Sequence, residues 1–235
     1  MRQQHGPGYF FNTPYLDITE DMNLDSYTSP LSEQYVDDVS PLLYYPLPVD
    51  LPTVNKDILI LMAAYYGDID RYVRLQRPTL IRREADCIIR GIFHNTLFAK
   101  WWSLQDLSIG RYDPSTSYQI DCAITARFIM SNDLSRILRR PNRKPDCIWY
   151  PVHASSETYR ELARRVPSMA ATASHACIVA GYSNTLQELP EFKINGPLLL
   201  EAELSPTPVM AEEIKRRIAV QGIDIEKSFC FPRDA

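Results

Sequence analysis

Between residues 55 and 222, apolar positions recur at three- and four-residue intervals in short bursts, each closed by glycine or proline. Ile58, Leu59, Leu61 and Met62 form the first burst. It follows Asn55, a helix-capping residue, and Gly67 stands where a left-handed C-terminal residue belongs. Asp68 then opens a second helix through Tyr72, Val73 and Leu75, and Pro78 stops it. The pattern repeats. Thr79 opens a helix towards Gly91 with Ile88, Ile89 and Ile92 apolar, and Asn95 caps the next through Leu97, Phe98, Trp101 and Trp102. A third pair joins Ile120–Ile129 to a short helix opened by Asp133 and stopped by Pro141. A fourth joins Met169–Ala180 to a short helix ending at Leu189, before Pro190. Further helices are predicted over Ser156–Val166 and from Pro208, capped by Thr207, to Gly222. On this last helix Glu212–Arg216 and Glu213–Arg217 stand four apart and suit an exposed face. The run Cys147–Tyr150 reads as a strand or an extended connection, and Glu201 and Glu203, two apart, read as one face of a strand edge. The fold class is therefore mainly all-α.

Residues 1–53 lack either periodicity and are rich in Pro, Ser, Asp and Tyr. They read as an irregular, acidic lead-in joined to a helical body over 54–235. Their aromatic clusters, Tyr9-Phe10-Phe11, Tyr27, Tyr35 and Tyr44-Tyr45, either pack back on the body or recognise a partner.

The helix pairs resemble one another. Cys87-Ile88-Ile89-Arg90-Gly91 and Cys177-Ile178-Val179-Ala180-Gly181 share a core, and both units carry Asn-Thr-Leu, at 95–97 and 184–186. Small residues at recurrent positions, among them Cys87, Ala126 and Cys177, let neighbouring helices approach; the cysteines read as buried fillers. Ala63-Ala64-x-x-Gly67-Asp68-x-Asp70 resembles the core of an ankyrin repeat, and the stretch Ala63–Asp68 is similar to ankyrin-like proteins of filamentous fungi. The resemblance covers about 55–190. It implies an irregular stack of ankyrin-like helix-turn-helix pairs whose neighbours bury each other's apolar faces. The family's Thr-Pro-Leu-His turn is replaced by Ile58–Leu61, and the turns fall near 67, 94, 132 and 183 rather than every ~33 residues. An irregular helical domain with partly repeated hairpins is the alternative.

Charge divides the chain. Residues 1–55 carry eight acids and Arg2, a sum of −7 against −4 for the whole. The opposite extreme is the cluster Arg136, Arg139, Arg140, Arg143 and Lys144, which reads as a solvated helix end, a basic recognition patch, or a dock for the acidic lead-in. The body is too weakly basic to suit nucleic acid. No stretch approaches the ~18 apolar residues of a membrane span, and Met1–Pro14 lacks a signal-peptide core. Five cysteines without a Cys-x-x-Cys pair imply neither a disulfide framework nor zinc, which makes a cytoplasmic or nuclear location the expectation.

Chemical motifs are few. His5, His94, His153 and His175 form no metal spacing, and neither a phosphate loop nor a nucleophile elbow occurs. No catalytic residue, cofactor or metal is expected. The reading is a non-catalytic module binding a protein partner. By the ankyrin resemblance, the candidate contacts are Tyr65, Tyr66, Asp68, His94, Asn95 and Trp102. Trp101 and Trp102 differ by about 100° around a helix, so one can be core while the other lies near the surface. The alternative is an enzyme or small-molecule binder built in a helical pocket from Tyr66, His94, His175 and Arg90. A third reading is a regulator with an acidic activating tail.

Overall fold

The computed structural model describes residues 40–51, 53, 55–107 and 113–223. Among them every regular element is a helix; no strand occurs. The aromatic clusters expected at Tyr9–Phe11, Tyr27 and Tyr35 lie outside the described residues. The chain divides into two compact units, Met1–Arg127 and Phe128–Ala235.

The first unit contains α1 (Ser40–Tyr44), α2 (Asp57–Tyr66), α3 (Ile69–Leu75), α4 (Arg82–His94), α5 (Thr96–Ser103) and most of α6 (Pro114–Met130). Asn55 Oδ1 accepts from the Asp57 N–H at 2.9 Å from one residue outside the cap position, which is Lys56 and carries no side-chain cap. Gly67 adopts φ 68° and closes α2, while the Asp68 N–H returns to the Ala63 carbonyl. Asp68 then caps α3 by accepting from the Arg71 N–H. α2 buries Leu59, Ile60, Leu61, Ala63, Ala64 and Tyr65, nearly its whole circumference, because α3 and α4 both pack on it.

One expectation about α4 is corrected: it starts at Arg82 rather than Thr79. It runs through Gly91 to His94, where the turn is expected. Gly91 is an approach point, since a Cβ there would stand 2.0 Å from the Ala64 carbonyl oxygen. Behind α4, Tyr72 and Phe98 meet edge-to-face at 5.7 Å, and Trp102 completes the cluster. Buried within this core is Glu84. It accepts from the Tyr72 hydroxyl at 2.8 Å and pairs with Arg77 at 2.9 Å, which answers the cost of an interior carboxylate.

Residues expected in the irregular lead-in contribute α1 and an extended strap. Arg71 donates to the carbonyls of Leu42 and Tyr45, and Arg74 to those of Leu47, Pro48 and Val49. The strap is thus fastened to α3 through its backbone, and Tyr44, Tyr45 and Val49 stay exposed.

The second unit begins within the last turn of α6. Asn132, at φ 62°, follows that turn, and its side-chain oxygen accepts from the Ser155 N–H and the Thr158 hydroxyl, both at 2.8 Å. There follow α7 (Ser135–Arg139), α8 (Ser156–Arg165), a 3-10 turn (Pro167–Met169), α9 (Ala170–Ala180) and α10 (Ser183–Glu188). The run Cys147–Tyr150 is an extended connection, not a strand. It is held by the Tyr159 hydroxyl, which donates to the Ile148 carbonyl at 2.9 Å and accepts from the Ala154 N–H at 2.8 Å.

α11 (Gly196–Leu204) and α12 (Pro208–Gln221) close this unit. Helix α11 overturns the strand reading of Glu201 and Glu203: Glu203 pairs with Lys215 at 2.7 Å and Glu201 meets His175. Thr207 makes no side-chain cap to α12. Glu213–Arg217, expected on an exposed face, is buried instead. Arg217 donates to the carbonyls of Leu186, Gln187, Leu189 and Pro190, filling the acceptor-rich end of α10 with a cation.

Candidate protein-binding surface

In the first unit, two inter-helix turns are locked side by side. The turn Gly67–Asp68 joins α2 to α3, and Asn95 joins α4 to α5. Asn95 works in both directions. Its Oδ1 accepts from the Leu97 and Phe98 N–H groups at 2.9 and 3.1 Å, while its Nδ2 donates to the Gly67 carbonyl at 3.1 Å. A Cβ at Gly67 would meet the Asn95 Cβ at 2.8 Å, so glycine there serves both the left-handed φ and the contact. The two turns form a ledge of fixed backbone.

On that ledge Tyr66 is 61% exposed and Leu97 68% exposed. Asp68 is exposed, and His94 and Asn95 are half-buried. Arg127, from α6, extends the ledge. It donates to the Phe93 carbonyl at 3.1 Å and, through two nitrogens, to the Thr96 hydroxyl at 3.0 and 2.6 Å. Arg90 lies 3.7 Å above the Tyr65 ring and donates to the Tyr65 carbonyl at 3.2 Å. Burial first, and then the charges of Arg90 and Arg127, push His94 down to about 4, so it is neutral at pH 7.

Two of the expected contacts are corrected. Trp102 is 1% exposed and Tyr65 is buried, so both are core residues rather than surface anchors. Trp102 points inward because α5 buries the Phe98–Ala99–Trp102 face, leaving Trp101 half-buried. Arg127 escaped the sequence reading because it is an isolated cation in a long helix, and only the fold carries it to the second turn. Leu97 appears in the sequence as one more apolar helix position; its place in the first turn of α5 puts it outside.

The basic cluster is likewise divided. Arg136 is buried, with its guanidinium 5.9 Å from the Phe128 ring, while Arg139, Arg140 and Lys144 are exposed and Arg143 is half-buried. Of the pocket candidates, Arg90 and His94 come together at the ledge with Tyr66 nearby. His175 belongs to the second unit, where it stacks on Trp149 at 5.6 Å and its Nδ1 contacts Glu201. Cys87, Cys122, Cys147 and Cys177 are buried free thiols. Burial pushes Cys87 and Cys177 up to about 12 and Cys147 to about 11, which keeps them protonated and poor nucleophiles. Among the described residues no His, Cys, Asp or Glu group has the makings of a metal site, and no helix is long and apolar enough to cross a membrane. No family model matches the chain, and comparison with curated proteins and with solved structures finds no match.

Proposed function

We propose that this chain is a non-catalytic interaction module, working in the cytoplasm or nucleus, that binds a protein partner through its turn ledge. The observation that carries the reading is the joined pair of turns: Tyr66 and Leu97 stand exposed on backbone that Asn95 and Gly67 hold rigid. A large aromatic and an aliphatic side chain on a pre-ordered support lose little entropy on docking, which is what interface anchors require. The ankyrin-like texture of the sequence supports the same reading, since turns between paired helices are the contact elements of such arrays. His94, Asp68 and Thr96 form the polar rim in this proposal, while Asn95 supports them.

The test is affinity capture from native extract with the full chain and with a Tyr66→Ser/Leu97→Ser double variant, followed by mass spectrometry. A protein recovered in stoichiometric amount with the parent and lost with the variant is expected. A partner retained equally by both would move the contact off the ledge. A small molecule recovered in place of any protein would favour a pocket built around Arg90 and His94 instead.

A further inference from the structure

Two helices of the first unit run alongside each other from the ledge. Asp68 caps α3 and Asn95 caps α5, and the Asn95 side chain ties the two starts together through the Gly67 carbonyl. One turn along α3, Tyr72 meets the Phe98 ring of α5 at 5.7 Å and the Trp101 ring at 6.0 Å. Helices laid side by side leave a furrow between their outer flanks, into which the side chains of a third helix can pack. The strap fastens elsewhere on α3. It is held by Arg71 and Arg74, which the helical period places opposite the flank shared by Ile69, Tyr72 and Val73.

The furrow is apolar and open. On its α3 side Val73 is 42% exposed and Ile69 half-buried; on its α5 side Leu97 and Leu104 are 68% and 77% exposed, with Trp101 half-buried between them. Leu97, Trp101 and Leu104 stand at i, i+4 and i+7, the spacing by which one helix face meets another. The two rims differ in charge. Asp68 and Asp70 are exposed at the start of α3, while the cations of that helix, Arg71 and Arg74, are turned to the strap carbonyls. The one charged residue of α5 is Lys100, exposed between Leu97 and Leu104, and Asp106 lies beyond the end of that helix. An apolar floor therefore lies between an acidic rim and a basic one.

We infer that this furrow takes an amphipathic helix of the partner, its apolar stripe on Val73, Trp101 and Leu104, with a base over the α3 rim and an acid over Lys100. The inference rests on the protein-binding reading, since the furrow opens at Leu97 of the ledge, and it names the element the partner presents. Burial of the stripe supplies the attraction, and the opposed rims select the edges of the helix, because like charge on either edge is disfavoured. A second copy of this chain fits less well. Its exposed apolar helix face, Leu200 and Leu204 of α11, brings the acids Glu201 and Glu203 but no base of its own.

The test uses the full chain labelled with 5-fluorotryptophan, so that fluorine spectra report Trp101, Trp102 and Trp149 separately. The probes are tryptophan-free peptides of about 18 residues, long enough to form a helix, with leucines at i, i+4, i+7 and i+11. Their edges carry Lys on one side and Glu on the other, Glu on both, or Lys on both. Reversing a peptide exchanges its edges, so the mixed peptide fits in one of its two directions. It should move the Trp101 line saturably and bind at least about threefold more tightly than either uniform peptide, the ordinary worth of an exposed ion pair. Asp70→Lys should pass the preference to the all-Glu peptide. Leu104→Glu should weaken the mixed peptide at least about tenfold, and Tyr66→Ser should leave its binding unchanged. A Trp101 line that no peptide moves overturns the inference, as does an affinity order that Asp70→Lys leaves as it was. Sedimentation of the parent as a dimer that Leu104→Glu breaks assigns the furrow to a second copy and overturns it too. The ledge fails separately: peptide binding as expected upholds the furrow even where no captured partner depends on Tyr66, and a partner that depends on Tyr66 while no peptide binds leaves the ledge without the furrow.

Discussion

His94 gives the ledge a pH signature. Its folded value sits near 4, well below the 6.5 of a free imidazole, because burial and two neighbouring guanidiniums oppose its charge. A group depressed on folding binds its proton more readily in the unfolded chain. Stability is therefore full above about pH 6.5 and is lost as pH falls from there towards 4. His94→Gln should flatten that decline, measured by urea denaturation at stepped pH; a slope unchanged by the substitution would remove His94 from the account. Exposure separates the other ledge residues just as sharply. Tyr66→Ser and Leu97→Ser should change stability by no more than about 0.5 kcal/mol, whereas Trp102→Ala, in the aromatic core, should cost about 3–5 kcal/mol. The two tryptophans were equivalent in the sequence. Tyr72 lies 6.0 Å from both rings; what separates them is that Trp102 falls on the Phe98–Ala99 face that α5 buries while Trp101 stays half-buried, a tertiary fact that adjacent positions cannot reveal.

At the scale of elements, the glycines show what a one-dimensional pattern can and cannot distinguish. Gly67 and Gly181 end their helices with φ 68° and 73°, as their place after an apolar burst implies. Gly91 shares the Cys-Ile-aliphatic-x-Gly pattern of Gly181 yet lies inside α4, because its function is steric and its neighbour, Ala64, belongs to another helix. The difference predicts an order of damage. Gly181→Ala meets open space and incurs only left-handed backbone strain, about 1–2 kcal/mol. Gly91→Ala places a methyl group against a backbone carbonyl and must push α2 from α4, which should exceed that cost; thermal melts of the two variants decide the order. Helix α11 escaped the pattern for a related reason. Leu198, Leu199 and Leu200 are consecutive, so they carry no helical period, and the acids behind them imitate strand alternation. Helix starts and stops were legible where a cap or proline acts locally, as at Asp68, Asn95 and Gly222.

Across the whole molecule, the legible part was composition: a helical body and an acidic lead-in follow from periodicity and charge. The candidate site was half legible. Its turn residues stood out in sequence, but Arg127 and the strap over α3 depend on contacts across 25 residues or more. So does the division at Arg127, which no break in composition announces, since it falls inside a continuous helix. The division nevertheless has an energetic consequence. Each unit buries its own core, around Tyr72, Phe98 and Trp102 in the first and around Tyr159, Leu162 and Ala173 in the second. Arg217 belongs wholly to the second, where it joins Glu213 to the end of α10. Arg217→Met removes the buried one of the two guanidiniums on Glu213, leaving Arg216 at 2.7 Å, and takes this donor from four carbonyls, a loss of about 1–3 kcal/mol. If the cores are energetically separate, hydrogen exchange should show α10, α11 and α12 losing protection while α2, α4 and α5 keep theirs. If protection falls equally in both sets, α6 transmits the loss and the chain unfolds as one cooperative body. The first outcome is expected, because the carboxylate and carbonyls that Arg217 joins all lie on one side of the division.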